Sequence, residues 1–229
     1  MKIGGLQRVS LIDYPGLISA VVFLQGCNFK CSYCHNPELV DPSLFRTCIG
    51  ENDVIEFLNT RKGKLDAVSI TGGEPAIQDK LHTFIKQIKK MGFAVKMDTN
   101  CSRPHVIKTL IAEKLLDYIA MDVKAPLEKY KDIVKAHVNP DSIKESIGLI
   151  LNAKIPYEFR TTIVESQLEE NDILKIGELI TGANRYILQK FVSTKTLDSR
   201  FLKEKSYSDK TLQKIKSHLE KQITSVTIR

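Results

Sequence analysis

The sequence predicts an α/β protein in which parallel strands alternate with helices. Six apolar, β-branched runs recur at residues 19–25, 67–71, 94–98, 118–122, 157–164 and 185–189. Between them, apolar residues return at three- and four-residue spacing, the period of a helix with one buried face. No linker rich in Gly, Pro or Ser and no second cysteine cluster interrupts the pattern, so residues 1–229 read as one domain.

Each element has its own signal. After the run at 19–25, Val54, Phe57 and Leu58 mark the inner face of a first helix. The run at 67–71 leads to a helix over 80–91, which ends with lysines in its last turn and Gly92 beyond it. After the runs at 94–98 and 118–122, Asn139-Pro140-Asp141 opens a helix whose apolar stripe is Ile143, Ile147, Ile150 and Leu151. Past the runs at 157–164 and 185–189, residues 209–221 read as a final helix. Residues 223–228 alternate like a short strand, placed either to cover a barrel edge or to meet a partner. Six such strands require right-handed crossovers, in an open doubly wound sheet or in a partial barrel; periodicity does not choose between them.

Apolar residues make up 42% and charged residues 27% of the chain, a balance that suits neither a disordered nor a membrane protein. No apolar run reaches the roughly 18 residues of a membrane helix. The start, Met1-Lys2-Ile3-Gly4-Gly5, lacks the apolar core of a secretory signal, so the expected location is cytoplasmic. The net charge is +7, yet lysines such as Lys86, Lys89 and Lys90 are spread over helices. That favours a solvated surface over nucleic-acid binding, and it suits docking of an acidic electron donor.

Chemistry concentrates at Gln25-Gly-Cys27-Asn-Phe-Lys-Cys31-Ser-Tyr33-Cys34-His35-Asn-Pro37, which holds three of the five cysteines within eight residues. An odd count without a secretory signal argues against disulfides. Three thiolates leave a four-iron, four-sulfur cube with one iron free of protein ligands, where a substrate can bind. Zinc needs a fourth ligand: His35 is poorly placed beside Cys34, whereas Cys48 or Cys101 can fold back. The spacing favours the cluster and leaves zinc open.

Ligands in parallel α/β folds lie at the carboxyl ends of strands. The cysteine loop follows the first run and Thr71-Gly72-Gly73-Glu74-Pro75 the second; Asp98 ends the third, and Asp122-Val123-Lys124 the fourth. All four are expected at one pocket. Paired glycines let backbone approach a ligand, and Thr71 and Glu74 offer acceptors for an ammonium group. Two neighbouring carboxylates, Asp98 and Asp122, require cations; Lys124 or a monovalent metal ion would serve.

The Cys27-x3-Cys31-x2-Cys34 spacing, with Tyr33 before the last cysteine, resembles the signature of radical S-adenosylmethionine (radical SAM) enzymes. Thr71-Gly72-Gly73-Glu74-Pro75 is similar to their glycine-glycine-glutamate motif. Several further blocks resemble activating enzymes of glycyl-radical enzymes, especially the activating protein of anaerobic ribonucleoside-triphosphate reductase. They are Ile12-Asp13-Tyr14-Pro15-Gly16, Phe23-Leu24-Gln25-Gly26-Cys27, Cys34-His35-Asn36-Pro37, Asp98-Thr99-Asn100, Met121-Asp122-Val123-Lys124 and Tyr186-Ile187-Leu188-Gln189-Lys190-Phe191. The likeness runs from about residue 6 to about residue 198.

The resemblance implies a partial (βα)6 TIM-type barrel, a [4Fe-4S] cluster on Cys27, Cys31 and Cys34, and SAM cleaved reductively to a 5′-deoxyadenosyl radical. It assigns the Gly72-Gly73-Glu74 loop to the amino group of SAM and Tyr33 to the neighbourhood of adenine. Asp98, Asp122 and Lys124 are assigned to the SAM carboxylate and ribose, some with a cation, and Arg160 to a carboxylate clamp. Gln189 is assigned to ribose or adenine, and His35 to the rim of the cluster. The implied partners are a glycyl-radical enzyme as protein substrate and flavodoxin or ferredoxin as electron donor. A small molecule, an RNA base or a peptide as radical acceptor stays open, as does a zinc or iron–sulfur binding module without SAM chemistry. Cys101 stands where relatives often carry Gly, and Val164-Glu165-Ser166 where a Pro-Gly turn is expected. Cys48 and Cys101 are expected to be buried free thiols.

Overall fold

The computed structural model describes all residues, Met1–Arg229. The strands are β1 (Ile3–Ser10), β2 (Ser19–Leu24), β3 (Ala67–Gly72), β4 (Ala94–Thr99), β5 (Tyr118–Asp122), β6 (Tyr157–Ile163), β7 (Tyr186–Lys190) and β8 (Val226–Ile228). The helices are α1 (Pro37–Val40), α2 (Glu51–Asn59), α3 (Leu81–Lys90), α4 (Pro104–Ala112), α5 (Tyr130–Val134), α6 (Pro140–Leu151), α7 (Glu170–Leu179) and α8 (Asp209–Leu219). No helix is long and apolar enough to cross a membrane.

All eight strands form one sheet in strict chain order; β1 pairs antiparallel with β2, and every later pair is parallel. This order decides between the two architectures. A doubly wound sheet reverses its strand order at a switch point; here the order never reverses, so right-handed crossovers put the long connecting helices on the same face. The sheet winds in one direction as in a barrel, and its end strands β1 and β8 stay unpaired with each other.

The six expected strands are β2–β7, and 223–228 contributes β8 as an added parallel strand beside β7. β1 carries no apolar run and was not expected; its sequence, IGGLQRVS, becomes a strand by pairing with β2. Helix α6 opens as its sequence indicates, with Pro140 in the first turn and the Asn139 side chain accepting from the Asp141 N–H. In α2, Val54 and Leu58 are buried, but Phe57 lies nearer the surface, with the guanidinium groups of Arg8 and Arg61 5.7 and 5.2 Å from its ring centre.

Period-two alternation divides each strand between two faces. Val22, Val68, Ile70, Val95, Met97 and Ile119 join the helix residues Leu58, Phe84, Ile88, Ile107, Ile147 and Ile176 in one continuous core. Their strand neighbours, including Ser69, Lys96, Asp98, Asp122, Glu158 and Arg160, point to the concave side. At the amino-terminal end of the strands, Tyr14 from the β1–β2 connection packs on Tyr118 (ring centres 5.8 Å apart) with Ala67 and Ala120. The site occupies the opposite end.

Candidate active site

At the carboxyl end of the sheet, Cys27, Cys31 and Cys34 line a single cavity. No three Cys, His, Asp or Glu side chains are grouped as a single-ion site. Burial pushes the Cys27 thiol up to about 12 and the Cys31 thiol to about 11, and raises Cys34 as well. The bare protein therefore keeps these groups as neutral thiols, and metal binding must displace their protons. Tyr33, between two of them, is buried and lines the same cavity; its hydroxyl has no hydrogen-bond partner.

The Gly-Gly-Glu loop is bolted to the root of the cysteine loop. Gly72 has φ +123°, and a Cβ there would stand 2.3 Å from the Leu24 nitrogen; one at Gly73 would stand 2.0 Å from the Gly26 oxygen. Only glycine allows this approach. The Gly73 and Glu74 N–H groups donate to the Leu24 and Gly26 carbonyls at 2.8 Å each. Thr71, Gly72 and Gly73 line the cavity as expected, but the Glu74 side chain turns away from it. That carboxylate is fully buried and accepts from the Ala76 N–H (2.9 Å), the Thr99 hydroxyl (2.6 Å) and the Asn100 N–H (2.6 Å). Burial still pushes it up to about 7.

In the same cavity lies a row of partly buried charges, with Lys96 buried behind them. Arg160 donates from Nε to Asp122 at 2.8 Å and places Nη1 3.5 Å from Asp98. Lys124 donates to Asp122 at 3.0 Å, and Lys96 pairs with Asp98. Burial alone would raise the Asp122 carboxyl, but Arg160 and Lys124 hold it far below the usual carboxylate range. Arg160, which burial would lower, is held above its ordinary value by Asp122 and Asp98. The neutralising task expected of Lys124 or a monovalent metal ion is thus met by three cations of the chain. Lys96 was missed although its signal was present: two residues before Asp98 in a strand, it must share that residue's face. Further along the concave side, Glu158 is buried beside Arg229 (3.3 Å) and the Tyr118 hydroxyl (3.1 Å).

His35 lines the cavity, stacks on Phe191 with ring centres 5.3 Å apart, and donates from Nε2 to the Val192 carbonyl at 2.7 Å. Gln189 lies at the end of β7, half-buried, and does not line the cavity. Thr99, Asn100 and Thr162 do, and nothing in their sequence context marked them as site residues. Cys101 is buried as expected and takes the left-handed conformation, φ +54°. Cys48 is exposed, contrary to expectation, because it follows the surface turn at Pro42–Leu44 and donates only to Gln25 at 3.3 Å.

The residues present fit an iron–sulfur cluster with SAM beside it: three thiols, the carboxylates Asp98 and Asp122, the cations Lys124 and Arg160, and the close-packed backbone of Gly72 and Gly73 line one cavity. Residues 21–176 match the family profile of the radical SAM superfamily. The chain belongs to that superfamily. A Methanocaldococcus jannaschii protein, provisionally named as a glycyl-radical enzyme activating enzyme, is 37% identical over 99% of this chain and 95% of its own length. The pyruvate formate-lyase-activating enzyme of Staphylococcus aureus is 25% identical, covering 77% of this chain and 74% of itself. Among solved structures, Streptococcus suis SuiB bound to the precursor peptide SuiA superposes with a TM-score of 0.71 at 14% identity; 91% of this chain spans about half (48%) of SuiB. TYW1 with a lysine-pyruvate adduct gives 0.60 at 19% identity, covering 89% of this chain and 73% of its own. At these identities the structures establish the radical SAM fold alone. The family's cofactors are a [4Fe-4S] cluster and SAM, so this radical SAM protein is an enzyme and a zinc-only binding module is set aside.

Proposed function

We propose that this enzyme installs a glycyl radical on a partner protein, of the anaerobic ribonucleotide reductase or pyruvate formate-lyase type. The observation that carries the reading is the match to the archaeal activating-enzyme relative over almost the whole of both chains. Cys27, Cys31 and Cys34 would hold the cluster, leaving one iron open. Thr71, Gly72 and Gly73 would border the methionine end of SAM, and Asp98, Asp122, Lys124 and Arg160 its carboxylate and ribose. Tyr33 would take the adenine side and His35 the rim of the cluster, with Gln189 outside the cavity near the ribose or adenine. Once bound and reduced by one electron, the cluster and SAM supply a carbon radical able to remove a hydrogen atom from carbon. The chain's own part is to hold reactants in place and exclude water. Glycine is a fitting target because its Cα radical is delocalised over two planar amides, and its backbone bends sharply enough to reach a recessed site. A flavodoxin or ferredoxin would provide the electron, docking through complementary charge on a chain of net charge +7.

One observation supports a small-molecule acceptor instead: 7-carboxy-7-deazaguanine synthase of Methanopyrus kandleri is 32% identical, over 49% of this chain. A single experiment separates the readings. Anaerobically reconstituted enzyme is reduced, given SAM and a candidate glycyl-radical enzyme, and followed for 5′-deoxyadenosine by chromatography and for a glycyl radical by electron paramagnetic resonance (EPR), with Cys31→Ala alongside. Deoxyadenosine together with a glycyl signal, both absent in Cys31→Ala, is the expected result. Deoxyadenosine without the signal for every such partner would exclude activation and leave the small-molecule reading.

A further inference from the structure

Glu74 turns its side chain away from the cavity, although it belongs to the loop that borders it, and its hydrogen bonds lead to the cluster by another route. Its carboxylate holds the Thr99 hydroxyl and the Asn100 N–H, both at 2.6 Å, at the end of β4. From there the Asn100 side chain crosses to the cysteine loop. Its Nδ2 donates to Asn28 Oδ1 at 3.0 Å and stands 4.0 Å from Cys27 Sγ, while its Oδ1 accepts from the Ser102 N–H at 3.0 Å. Asn28 Nδ2 closes the circuit on Ser102 Oγ at 2.8 Å. Cys27 Sγ also receives the Phe29 N–H at 3.4 Å.

We propose that Glu74 is a positioning residue: acting through Asn100 and the Asn28–Ser102 latch, it fixes an amide donor beside the Cys27 sulfur and does not itself hold the ammonium group of SAM. For the carboxylate to reach the cavity it would have to abandon three donors in a fully buried setting, leaving the Ala76 and Asn100 N–H groups unpaired. N–H donors at a ligand sulfur favour the more negative, reduced state of a cluster, so their placement tunes its potential. The Gly-Gly-Glu loop thereby acts on both sides of the reaction: its backbone borders SAM, and its carboxylate secures the cluster's surroundings. The proposal rests on the cluster and SAM, and it is independent of which molecule receives the radical.

The test uses the anaerobic holoenzyme as wild type, Glu74→Gln, Asn28→Ala and the double variant. The midpoint potential of the SAM-free cluster is read by EPR-monitored redox titration, and the SAM Kd by equilibrium binding. Both single variants should shift the midpoint to more negative potential. The double variant should shift it no further than the larger single one, as two links of one chain do, with SAM Kd within about threefold of wild type throughout. Glu74→Gln with the wild-type midpoint overturns the proposal, and a Kd raised tenfold or more alongside it would identify a direct SAM ligand. An unmoved midpoint in Asn28→Ala overturns it equally. Should Glu74→Gln fail to load a cluster, Asn28→Ala and Ser102→Ala carry the test, and wild-type midpoints in both reject it. Failure of the activation reading would appear separately, as a missing glycyl signal from wild-type enzyme with a normal potential.

Discussion

The two faces of the same sheet are built on opposite principles. Along β4, Val95 and Met97 point outward into a core shared with α3 and α4, while Lys96 and Asp98 point inward to the cavity. On the outer face each large side chain contributes roughly 1.5–3 kcal/mol by leaving water, and any apolar residue of similar size would serve. On the inner face the cost of desolvating Asp98, Asp122, Lys124 and Arg160 is recovered only through their mutual pairing, which need not add stability at all. Stability resides on one face and chemistry on the other, joined through a common backbone.

That division gives the largest expected effects. Phe84→Ala on α3 should destabilise the fold by about 3–5 kcal/mol by leaving a cavity, and Arg160→Ala on β6 by roughly 1–3 kcal/mol, since Asp122 and Asp98 each lose one cation but keep Lys124 and Lys96. Their consequences for ligand should diverge. At a temperature where both remain folded, Phe84→Ala should keep the wild-type SAM Kd, whereas Arg160→Ala should lose measurable SAM binding. Denaturant unfolding paired with equilibrium binding checks both. If the two variants lose affinity alike, the faces are not independent and the comparison breaks.

Acidity distinguishes residues within the inner face. Asp122 has a native pKa below its unfolded value, so its contribution is present in full above about pH 4 and is lost as pH falls through the depressed native value. Glu74, raised to about 7, works the other way. The native state holds its proton longer than the unfolded chain does, so this group lowers stability as pH rises from about 4.3 towards 7. Unfolding free energy of the cluster-free protein against pH should therefore lose part of its acid limb in Asp122→Asn and part of its near-neutral decline in Glu74→Gln. Unchanged slopes in both variants would show that neighbouring groups dominate.

How legible each face was in the sequence follows from the same division. Apolar, β-branched runs located β2–β7, and helical spacing located α2 and the buried stripe of α6, because apolar burial leaves a trace in the sequence; α3 was found from its closing lysines and Gly92. β1 left none: with Gly4, Gly5, Gln7 and Arg8 it is a strand only because β2 offers an edge. At the site, motif spacing found the three cysteines and the glycine pair, whose chemistry is local in sequence. It did not show that Glu74 faces Thr99 and Asn100, since that contact joins the end of β3 to the end of β4 and depends on register; Lys96, by contrast, was legible from its place two residues before Asp98 in the same strand. Gln189 illustrates the converse, a residue placed at the correct strand end that stays outside the cavity.

Tyr33 sharpens the comparison at smaller scale. Its buried hydroxyl lacks a partner, so Tyr33→Phe should raise the stability of the cluster-free protein by about 1 kcal/mol. If that hydroxyl meets a polar atom of SAM, the same change should weaken SAM binding by roughly tenfold in the loaded enzyme. Thermal unfolding of the cluster-free form and binding to the loaded form give the two signs; a loss in both would mean that the hydroxyl is already partnered in the cluster-free protein, with the neighbouring Cys31 thiol as the nearest candidate.

The smallest expected effect lies where the faces meet, at Cys101. Its side chain packs in the outer core, yet its backbone at φ +54° belongs to the turn that presents Asn100 to the cysteine loop. A side chain in the left-handed region costs roughly 1 kcal/mol relative to glycine, and removing the buried sulfur forfeits a similar amount. Cys101→Gly should consequently leave stability nearly unchanged, because relief of backbone strain offsets lost packing. Cys101→Ala keeps the strain and loses the sulfur, so it should be the less stable of the two by about 1 kcal/mol. Denaturant midpoints of the cluster-free proteins at constant m-value read this order. Were alanine the more stable variant, packing would govern the turn, and the backbone that aims Asn100 would owe its conformation to the core beneath it.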